Sequence, residues 1–310
     1  MFRRPKITVV GAGATGATTA HLLALKDLGD VVLLDVVERV PQGKALDIWE
    51  AGPIEGFAAR VTGTNAYEDT AGSDLVVITA GMPRKPGMSR DDLLKVNAAI
   101  VGEVAQKAAA QSPDAVFVVL TNPADVMAYV TWKATGLPPA RILGQAGVLD
   151  SARFRAFLAD ALHISPKDVS AFVMGGHGDD MVPLVRYSYA GGIPVERLLP
   201  KAELDAIVER TRFGGGEVLQ LMGSSAFYAP ASSLAEMIAA ILHDEHRLLP
   251  LIAYLNGEYG YSGLYVGVPA VLGGGGVERV VEVDFTPEEQ AAFARSVGSV
   301  QKLLALLEES

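Results

Sequence analysis

The stretch KITVVGAGATGATTAHLLAL, residues 6–25, decides the fold. It opens with a five-residue run that is rich in β-branched side chains and typical of a buried strand. The run ends at Gly11, and after a glycine-rich turn a sparsely charged pattern predicts a helix over residues 14–28. The sequence therefore predicts a strand, a tight turn and a helix in immediate succession.

The turn GAGATG, residues 11–16, matches the pattern G-x-G-x-x-G. Gly11 permits the tight turn, Gly13 lets the backbone approach a pyrophosphate, and Gly16 lets the helix pack on the strand. The first helical turn adds free N–H groups and a positive dipole end. A turn chosen for packing alone is the alternative, but the flanking strand and helix favour phosphate binding. The predicted phosphate contacts are Gly11, Ala12, Gly13, Ala14, Thr15 and Gly16.

A second part of the same site is predicted at Asp35, which ends the apolar run VVLLD and follows Gly16 by 19 residues. A carboxylate at this place accepts hydrogen bonds from the ribose hydroxyls of a dinucleotide. It also repels a 2′-phosphate. The pattern therefore favours NAD over NADP as the cofactor.

The alternation of strand and helix patterns continues through the first half of the chain. Further apolar runs and helical patterns follow one another at residues 43–51, 60–64, 75–80, 90–111 and 115–121. Because the runs are apolar on both faces, they predict a parallel sheet with helices on both sides. The fold class is α/β, with a doubly wound parallel sheet.

The pattern changes after residues 141–147, which suggests a second domain. Long helical stretches and a hairpin-like region are predicted at residues 151–161, 201–213, 215–244 and 259–284. Thr286, Pro287 and Glu289 form the capping signal of a final helix. We therefore expect an NAD-binding domain over residues 1–146 and a mixed α+β domain over residues 147–310.

Composition excludes several classes of protein. The chain has 310 residues, a formal net charge of −10, 50% hydrophobic residues and no cysteine. Disorder, a disulfide framework and a Cys-ligated zinc site are all excluded on these counts. The acidic balance argues against nucleic-acid partners. The longest charge-free stretch near the middle, residues 218–235, is too polar to span a membrane, and no signal peptide is recognisable at residues 1–10. We expect a cytoplasmic protein.

A basic loop, GMPRKPGMSR at residues 81–90, follows the apolar run at residues 75–80. It therefore lies at the carboxyl end of the predicted sheet, where open α/β sheets bind ligands. Arg84, Lys85 and Arg90 place three cations within seven residues of an acidic protein, which indicates an anionic ligand. A solvated loop with incidental charges is the alternative interpretation.

His177 is the candidate acid/base residue, because glycines flank it in MGGHGD, residues 174–179. The other four histidines lie in helical patterns. A carboxylate on the second ring nitrogen would fix the tautomer and favour the imidazolium ion. Asp150 and Asp179 are both candidates for that carboxylate, and the residues alone leave the choice open.

Seven segments together resemble the lactate/malate dehydrogenase family over nearly the whole chain, and most of all its malate dehydrogenases built on the lactate dehydrogenase plan. The segments are GAGATG, LLD, ITAGMPRKPGMSRDDLLKVN, LTNPADV, VLDSARFR, GGHGDDMVPL and GSSAFYAPASS. The resemblance implies a Rossmann-type NAD-binding domain followed by a substrate domain. It also implies a homodimer or homotetramer, and NAD-dependent oxidation of (S)-malate to oxaloacetate, a reaction of the tricarboxylic acid cycle.

The resemblance also implies roles for matching residues. His177 would donate and accept the proton, with Asp150 behind it. Arg153 would clamp the substrate carboxylate next to the reacting carbon, and Arg90 would polarise the carbonyl. At the loop position that is usually Gln in lactate-type members, Arg84 would bind the second carboxylate of a dicarboxylate; Lys85 is a rival for this role.

The remaining implied contacts line the cleft. Asn122 would contact both substrate and cofactor, and the nicotinamide side would be lined by Asn97, Leu120 and Thr121. Ser225 would line the substrate pocket, although LMGSS at residues 221–225 departs from the family pattern. No function is assigned to the glycine run 273–276. A lactate or other 2-hydroxy-acid dehydrogenase of the same family is the alternative. A non-catalytic nucleotide-binding protein would require damage at residue 84, 90, 150, 153 or 177, and all five are intact in type.

Overall fold

The computed structural model describes residues 3–82 and 90–308, and for Arg90 the backbone alone. Most of the basic loop, including Arg84 and Lys85, therefore lies outside the described residues. The helices are α1 Ala14–Leu25, α2 Val40–Glu50, α3 Gly52–Glu55, α4 Arg90–Gln111, α5 Ala124–Thr135, α6 Gly147–Leu162, α7 Lys201–Met222, α8 Tyr228–Leu242 and α9 Pro287–Glu308. The strands are β1 Lys6–Val10, β2 Asp30–Leu34, β3 Val61–Thr64, β4 Leu75–Ile78, β5 Val116–Val119, β6 Ile142–Gly144, β7 Val169–Ser170, β8 Val173–Met174, β9 Val182–Pro183, β10 Tyr189–Ala190, β11 Ile193–Pro194, β12 Arg247–Asn256, β13 Ser262–Gly273 and β14 Gly276–Val280.

The first six strands form a parallel sheet with the order β3-β2-β1-β4-β5-β6. β1 lies at the centre, where Ile7 pairs with Val31 on one side and Leu75 on the other. The order reverses at β1, so the carboxyl ends of β1 and β4 flank the crevice where such sheets bind ligands. The α/β fold class with a doubly wound parallel sheet is confirmed.

The sheet is stable because its strands are buried on both faces. Every residue of β4 and β5 is buried, and Ile7, Leu33 and Phe117 have no exposed surface. A fully buried aliphatic side chain contributes about 1.5–3 kcal/mol to folding. The apolar runs of the sequence therefore form the main core, as their two-sided apolarity predicts.

Strands from the second half of the chain extend this sheet instead of forming a separate one. β12 joins antiparallel to β6 through Ile252 and Gly144, and β13 and β14 follow antiparallel to it. A Cβ at Gly144 would lie 2.8 Å from the Cβ of Ile252, so glycine permits this close approach. The predicted hairpin is present as β13 and β14, with its turn at Gly274 and Gly275. Sequence patterns did not predict β12.

The boundary between the two helices predicted at residues 201–213 and 215–244 lies elsewhere in the structure, between α7 and α8. The sequence predicts a break at Gly214, but α7 continues through the glycines to Met222 and ends at Gly223, whose φ is +69°. Gly214 packs on Arg153, because a Cβ there would lie 3.2 Å from the Cδ of that arginine. Helical glycines cost about 1 kcal/mol each, and tertiary packing offsets that cost here. The short helix α5 and strand β6 were not predicted.

The final helix begins as its capping signal predicts. The backbone N–H of Glu289 donates to Thr286 Oγ1 at 3.2 Å, and the N–H of Thr286 donates to Glu289 Oε2 at 2.8 Å. This reciprocal pair is a capping box. Among the described residues, none of the helices is sufficiently long and apolar to cross a lipid bilayer.

The two glycines that flank the start of α1 give a matched test of the turn. A Cβ at Gly16 would collide with the carbonyl oxygen of Gly11, whereas a Cβ at Gly13 has no atom within 4 Å. We expect Gly16→Ala to lower the free energy of unfolding by about 2 kcal/mol or more, since overpacked backbone must shift. Gly13→Ala should leave the midpoint of thermal unfolding nearly unchanged. Equal midpoints for the two variants would contradict the packing role of Gly16.

Candidate active site

The glycine turn between β1 and α1 is built for close approach. Gly11 has a φ of +106°, a conformation that favours glycine, and a Cβ there would lie 2.7 Å from Thr79 Oγ1. Gly13 and Ala14 are exposed at the start of α1. No side chain caps this helix and its first turn holds no acidic residue. The turn therefore presents free backbone N–H groups and a positive dipole end to an anion.

Asp35 follows β2 and supports the same turn. Its Oδ2 accepts a hydrogen bond from the backbone N–H of Ala12 at 2.6 Å, and Oδ1 accepts one from Val37 at 2.9 Å. Lys44 Nζ donates to the carbonyl oxygen of Ala12 at 2.6 Å, a contact that the sequence did not predict. Each carboxylate oxygen has a further lone pair, so Asp35 retains the capacity to accept a ribose hydroxyl.

The carboxyl ends of β4 and β5 are joined by side-chain hydrogen bonds. Buried Asn97 on α4 accepts the N–H of Met82 at 2.8 Å and donates to the carbonyl oxygen of Asn122 at 3.0 Å. Thr121 Oγ1 donates to the carbonyl oxygen of Ala80 at 2.6 Å. Leu120 is half-buried beside them. Asn97 thus couples two strand ends, and Asn122 is left exposed at the cleft.

The turn after β8 that carries His177 is held by three separate elements. The N–H of Gly175 donates to the carbonyl oxygen of Gly267 on β13 at 2.8 Å. The N–H of Gly176 donates to Ser296 Oγ on α9 at 2.8 Å, and that of His177 donates to Asp125 Oδ2 on α5 at 2.9 Å. Three consecutive backbone donors are therefore fixed, and the imidazole position is fixed with them.

Asp150 on α6 contacts the histidine ring. His177 Nδ1 lies 2.8 Å from Asp150 Oδ2, and Arg153 Nη1 donates to Asp150 Oδ1 at 3.0 Å. The Asp150 side chain is 2% exposed, against 18% for His177 and 14% for Arg153. Of the two carboxylates that the sequence left open, Asp150 is the one bonded to the ring. An ionised carboxylate only accepts, so Nδ1 carries hydrogen and Nε2 is left for a ligand.

The electrostatic surroundings favour a charged imidazole. Burial lowers the pKa of His177, but the charge and hydrogen bond of Asp150 and the charge of Asp125 outweigh it, so the pKa is raised. The charge of Arg153 opposes the rise. For Asp125, burial is the largest effect and raises the pKa to about 6, against the hydrogen bond from the His177 N–H.

A cavity of about 380 Å³ brings the central residues together. Its lining includes Asn122, Arg153 and His177. Ser225 is absent from that lining and lies exposed in the turn between α7 and α8. Arg84 and the side chain of Arg90 lie outside the described residues, so their predicted contacts stay predictions.

Sequence reasoning missed four residues around this cavity. Asp125 and Ser296 hold the His177 turn, Gly214 makes room for Arg153, and Arg212 lines the cavity. Asp125 did carry a signal, because it is an acidic residue at the start of an otherwise apolar helix after LTNP. Ser296 gave none, since it is 120 residues from the backbone N–H that it accepts.

Comparison with known proteins decides the family. Residues 5–144 match the model of the lactate/malate dehydrogenase NAD-binding domain, and residues 147–309 match that of the α/β C-terminal domain. The chain belongs to the lactate/malate dehydrogenase family. Members of this family are NAD-dependent oxidoreductases, and this chain is one of them.

Among its relatives, the malate dehydrogenase of Geobacillus kaustophilus is 60% identical over 310 residues, which is 99% of each chain. That of Bacillus subtilis is 59% identical over 307 residues, 98% of each chain. The malate dehydrogenase structure from Picrophilus torridus covers 99% of this chain and 98% of its own, with a TM-score of 0.97 and 48% identity. A lactate dehydrogenase structure from Cryptosporidium parvum, complexed with lactic acid and nicotinamide adenine dinucleotide, covers 100% of both chains at TM-score 0.96 and 40% identity.

The cofactor of the family is NAD, and the residues at the sheet edge fit it. Open space at Gly13 leaves room for a pyrophosphate, and among the described residues the first turn of α1 holds no acidic side chain and no side-chain cap. Asp35 stands at the end of β2, where a 2′-phosphate would meet a negative charge. The observed turn therefore agrees in shape and in charge with NAD binding.

Asp125 makes the stability of the protein pH-dependent. Its pKa is raised from 3.8 to about 6 in the folded state, so the folded state binds this proton more tightly than the unfolded chain. Protonated Asp125 therefore contributes about 3 kcal/mol to the free energy of unfolding. This contribution is fully present below the pKa of the unfolded chain and is lost as pH rises through about 6. Asp125→Asn cannot lose this contribution. We therefore expect its urea midpoint, measured relative to that of the parent protein, to be higher at pH 7.5 than at pH 4.5.

Asp114→Asn is the matched control, because the Asp114 side chain is 96% exposed. The difference in urea midpoint between Asp114→Asn and the parent protein should be the same at pH 4.5 and at pH 7.5. If Asp125→Asn and the parent protein change in parallel with pH, the buried charge is not ionising as described.

Proposed function

We propose that this enzyme is a malate dehydrogenase, which interconverts (S)-malate and oxaloacetate with NAD. The observation that carries the proposal is the hydrogen-bonded array His177–Asp150–Arg153. Its histidine and its arginine line one cavity together with Asn122, which follows β5 at the carboxyl edge of the sheet. The array offers a proton carrier, a charge behind it and a cation beside it. The malate dehydrogenase relatives at 58–60% identity over nearly the full chain support the choice of substrate.

His177 is the proposed acid and base. With Nδ1 bonded to Asp150, Nε2 accepts the hydroxyl proton of malate in oxidation and donates a proton to the carbonyl oxygen of oxaloacetate in reduction. Asp150 holds the ring orientation and stabilises the imidazolium ion. The raised pKa of His177 favours the protonated ring, which reduction requires.

Arg153 is the proposed clamp for the carboxylate next to the reacting carbon. Its Nη1 donates to Asp150, and a guanidinium group has five N–H donors, so donors remain for a bidentate contact with substrate. Gly214 on α7 leaves space along its side chain. Arg153 is thereby anchored by the same carboxylate that orients His177, which fixes the substrate relative to the proton carrier.

NAD would be held by the turn Gly11–Gly16, by Asp35, and by Asn97, Leu120, Thr121 and Asn122. When bound, NAD supplies the hydride acceptor and NADH the hydride donor. The chain's own residues orient the two reactants and move the proton at Nε2 of His177. The dense hydrogen bonding of Asn97 and Thr121 keeps this wall of the cleft rigid.

Arg84 and the side chain of Arg90 lie outside the described residues, and we propose that they complete the substrate site. Arg84 would bind the second carboxylate of the dianion, and Arg90 would stabilise negative charge on the reacting oxygen. A site that buries a second carboxylate must supply a cation, because an unpaired buried charge is strongly disfavoured. Ser225 is proposed to line the substrate pocket, which requires its exposed turn between α7 and α8 to contact the bound substrate.

Further parts of the proposal concern the whole protein. We propose a division at residues 146 and 147, a cytoplasmic homodimer or homotetramer, and a place in the tricarboxylic acid cycle. Subunit contact is supported by exposed apolar side chains on α2, where Leu46 and Trp49 are 52% and 46% exposed. Membranes and nucleic acids are not proposed as partners.

His177→Asn tests the acid/base role. We expect kcat for oxaloacetate reduction to fall by about 10²–10⁴-fold, because the proton donor is removed, while NADH still quenches intrinsic fluorescence on binding. His163→Asn is the control, since His163 is an exposed residue with φ of +54° at the end of α6, a conformation that Asn tolerates. Near-normal turnover by His177→Asn would rule out the assignment.

Arg84→Gln tests the substrate. The parent enzyme should reduce oxaloacetate far faster than pyruvate at equal concentration, and Arg84→Gln should lose about 100-fold or more in kcat/KM for oxaloacetate, because a buried carboxylate loses its cation. Lys85→Gln is the matched control and should keep the preference. A parent enzyme that prefers pyruvate, or a larger loss in Lys85→Gln, would contradict this part of the proposal.

A further inference from the structure

Asp125 is a buried carboxylate that contacts the His177 turn from the side opposite to Asp150. It lies in the first turn of α5 and is 3% exposed. Its Oδ2 accepts the backbone N–H of His177, while Oδ1 is buried without a hydrogen-bonding partner among the described residues. Burial of an ionised group with one unsatisfied oxygen is costly, so this choice of residue requires a compensating effect.

Neutral acceptors do the same mechanical work at the two preceding positions of the turn. A backbone carbonyl holds the N–H of Gly175, and the Ser296 hydroxyl holds that of Gly176. A neutral acceptor at position 125 could also accept the N–H of His177, without the cost of burying a charge. The charge of Asp125 therefore has a use beyond holding the backbone.

The imidazole ring of His177 is the group on which that charge acts. The negative charge of Asp125 raises the pKa of His177, next to the larger effect of Asp150. Two carboxylates thus face one histidine, one on its ring and one on its backbone. In a poorly solvated site a charge near the ring acts more strongly than in water.

We propose that Asp125 is a positioning residue for His177 that also stabilises the protonated imidazole through its buried negative charge. The inference rests on the proposed acid/base role of His177 and deepens it. Asp125 does not line the cavity of Arg153 and His177, so we assign it an action through the histidine and no contact with the reactants.

Few other charged groups lie near Asp125 among the residues that the structure describes. A cavity of about 190 Å³ beside it is lined by His177 and by Asp179 and Asp180 of the same turn. α6 contributes Asp150 and Arg153. The α9 residues that line this cavity, from Ser296 to Leu303, bring no titratable side chain. Asp180 accepts a hydrogen bond from Ser299 at 2.7 Å and is exposed, so solvent screens it.

The direction of the effect follows from charge. Without the carboxylate of Asp125, the imidazolium ion is less stable and the pKa of His177 falls. Reduction needs protonated His177, so the alkaline limb of kcat/KM for reduction moves to lower pH. Oxidation needs neutral His177, so its acid limb moves to lower pH by the same amount.

Asp125→Asn and Ser296→Ala form the matched pair of variants for the test. Asp125→Asn keeps an acceptor for the His177 N–H and removes the charge, whereas Ser296→Ala removes a neighbouring acceptor and changes no charge. Histidine labelled with ¹³C at Cε1 is titrated by NMR in each full-length protein, and His177→Asn identifies the resonance among the five histidines. Asp125→Ser serves in the same way if Asp125→Asn does not fold.

We expect the pKa of His177 to fall by about 0.5 unit or more in Asp125→Asn, with the pH limbs of both reactions moving by the same amount. Ser296→Ala should change the pKa by less than about 0.2 unit. An unchanged pKa in Asp125→Asn, or an equal fall in Ser296→Ala, overturns the proposal. The titration needs no substrate, so its result is valid even if malate is not the substrate. Failure of the proposal about Asp125 can therefore be distinguished from failure of the proposed function.

Discussion

The hydrogen bond between Asp150 and His177 is the interaction on which the site depends. It joins α6 to the turn after β8 and spans 27 residues of sequence. The same carboxylate binds Arg153, so the proposed proton carrier and the proposed substrate clamp share one buried anchor. A carboxylate at 2% exposure is tolerated because both of its oxygens are engaged by cationic or ionisable partners.

The continuous sheet brings that anchor to the cofactor side of the protein. β12 extends the parallel sheet from β6, and Gly267 on β13 accepts the N–H of Gly175. The His177 turn is therefore tied directly to the sheet whose other strands carry the glycine turn and Asp35. Acceptors on β13, α9 and α5 bind three consecutive backbone N–H groups of this glycine-rich turn. These hydrogen bonds explain how the turn holds the imidazole in one place.

Much of the fold was predictable because its signals are local. The apolar runs, the GAGATG turn and the capping box at Thr286 each depend on residues close in sequence, and each is present in the structure. The break predicted at Gly214 was wrong, because glycine propensity is a local preference that packing on Arg153 overrides. Asp125 and Ser296 escaped notice since the donors that they accept are 52 and 120 residues away.

By itself, the sequence determined the α/β class, the glycine turn between β1 and α1, NAD as the cofactor and the choice of His177 as the candidate acid/base residue. Local pattern and residue chemistry suffice for these, because period, turn geometry and charge are written within short stretches. Only the tertiary structure decided that Asp150 rather than Asp179 bonds the ring, and that β12 makes one sheet of both halves. It also revealed a second carboxylate behind the histidine. These features depend on which distant segments the core packs together, and burial and neighbouring charges then shift the pKa values of His177 and Asp125.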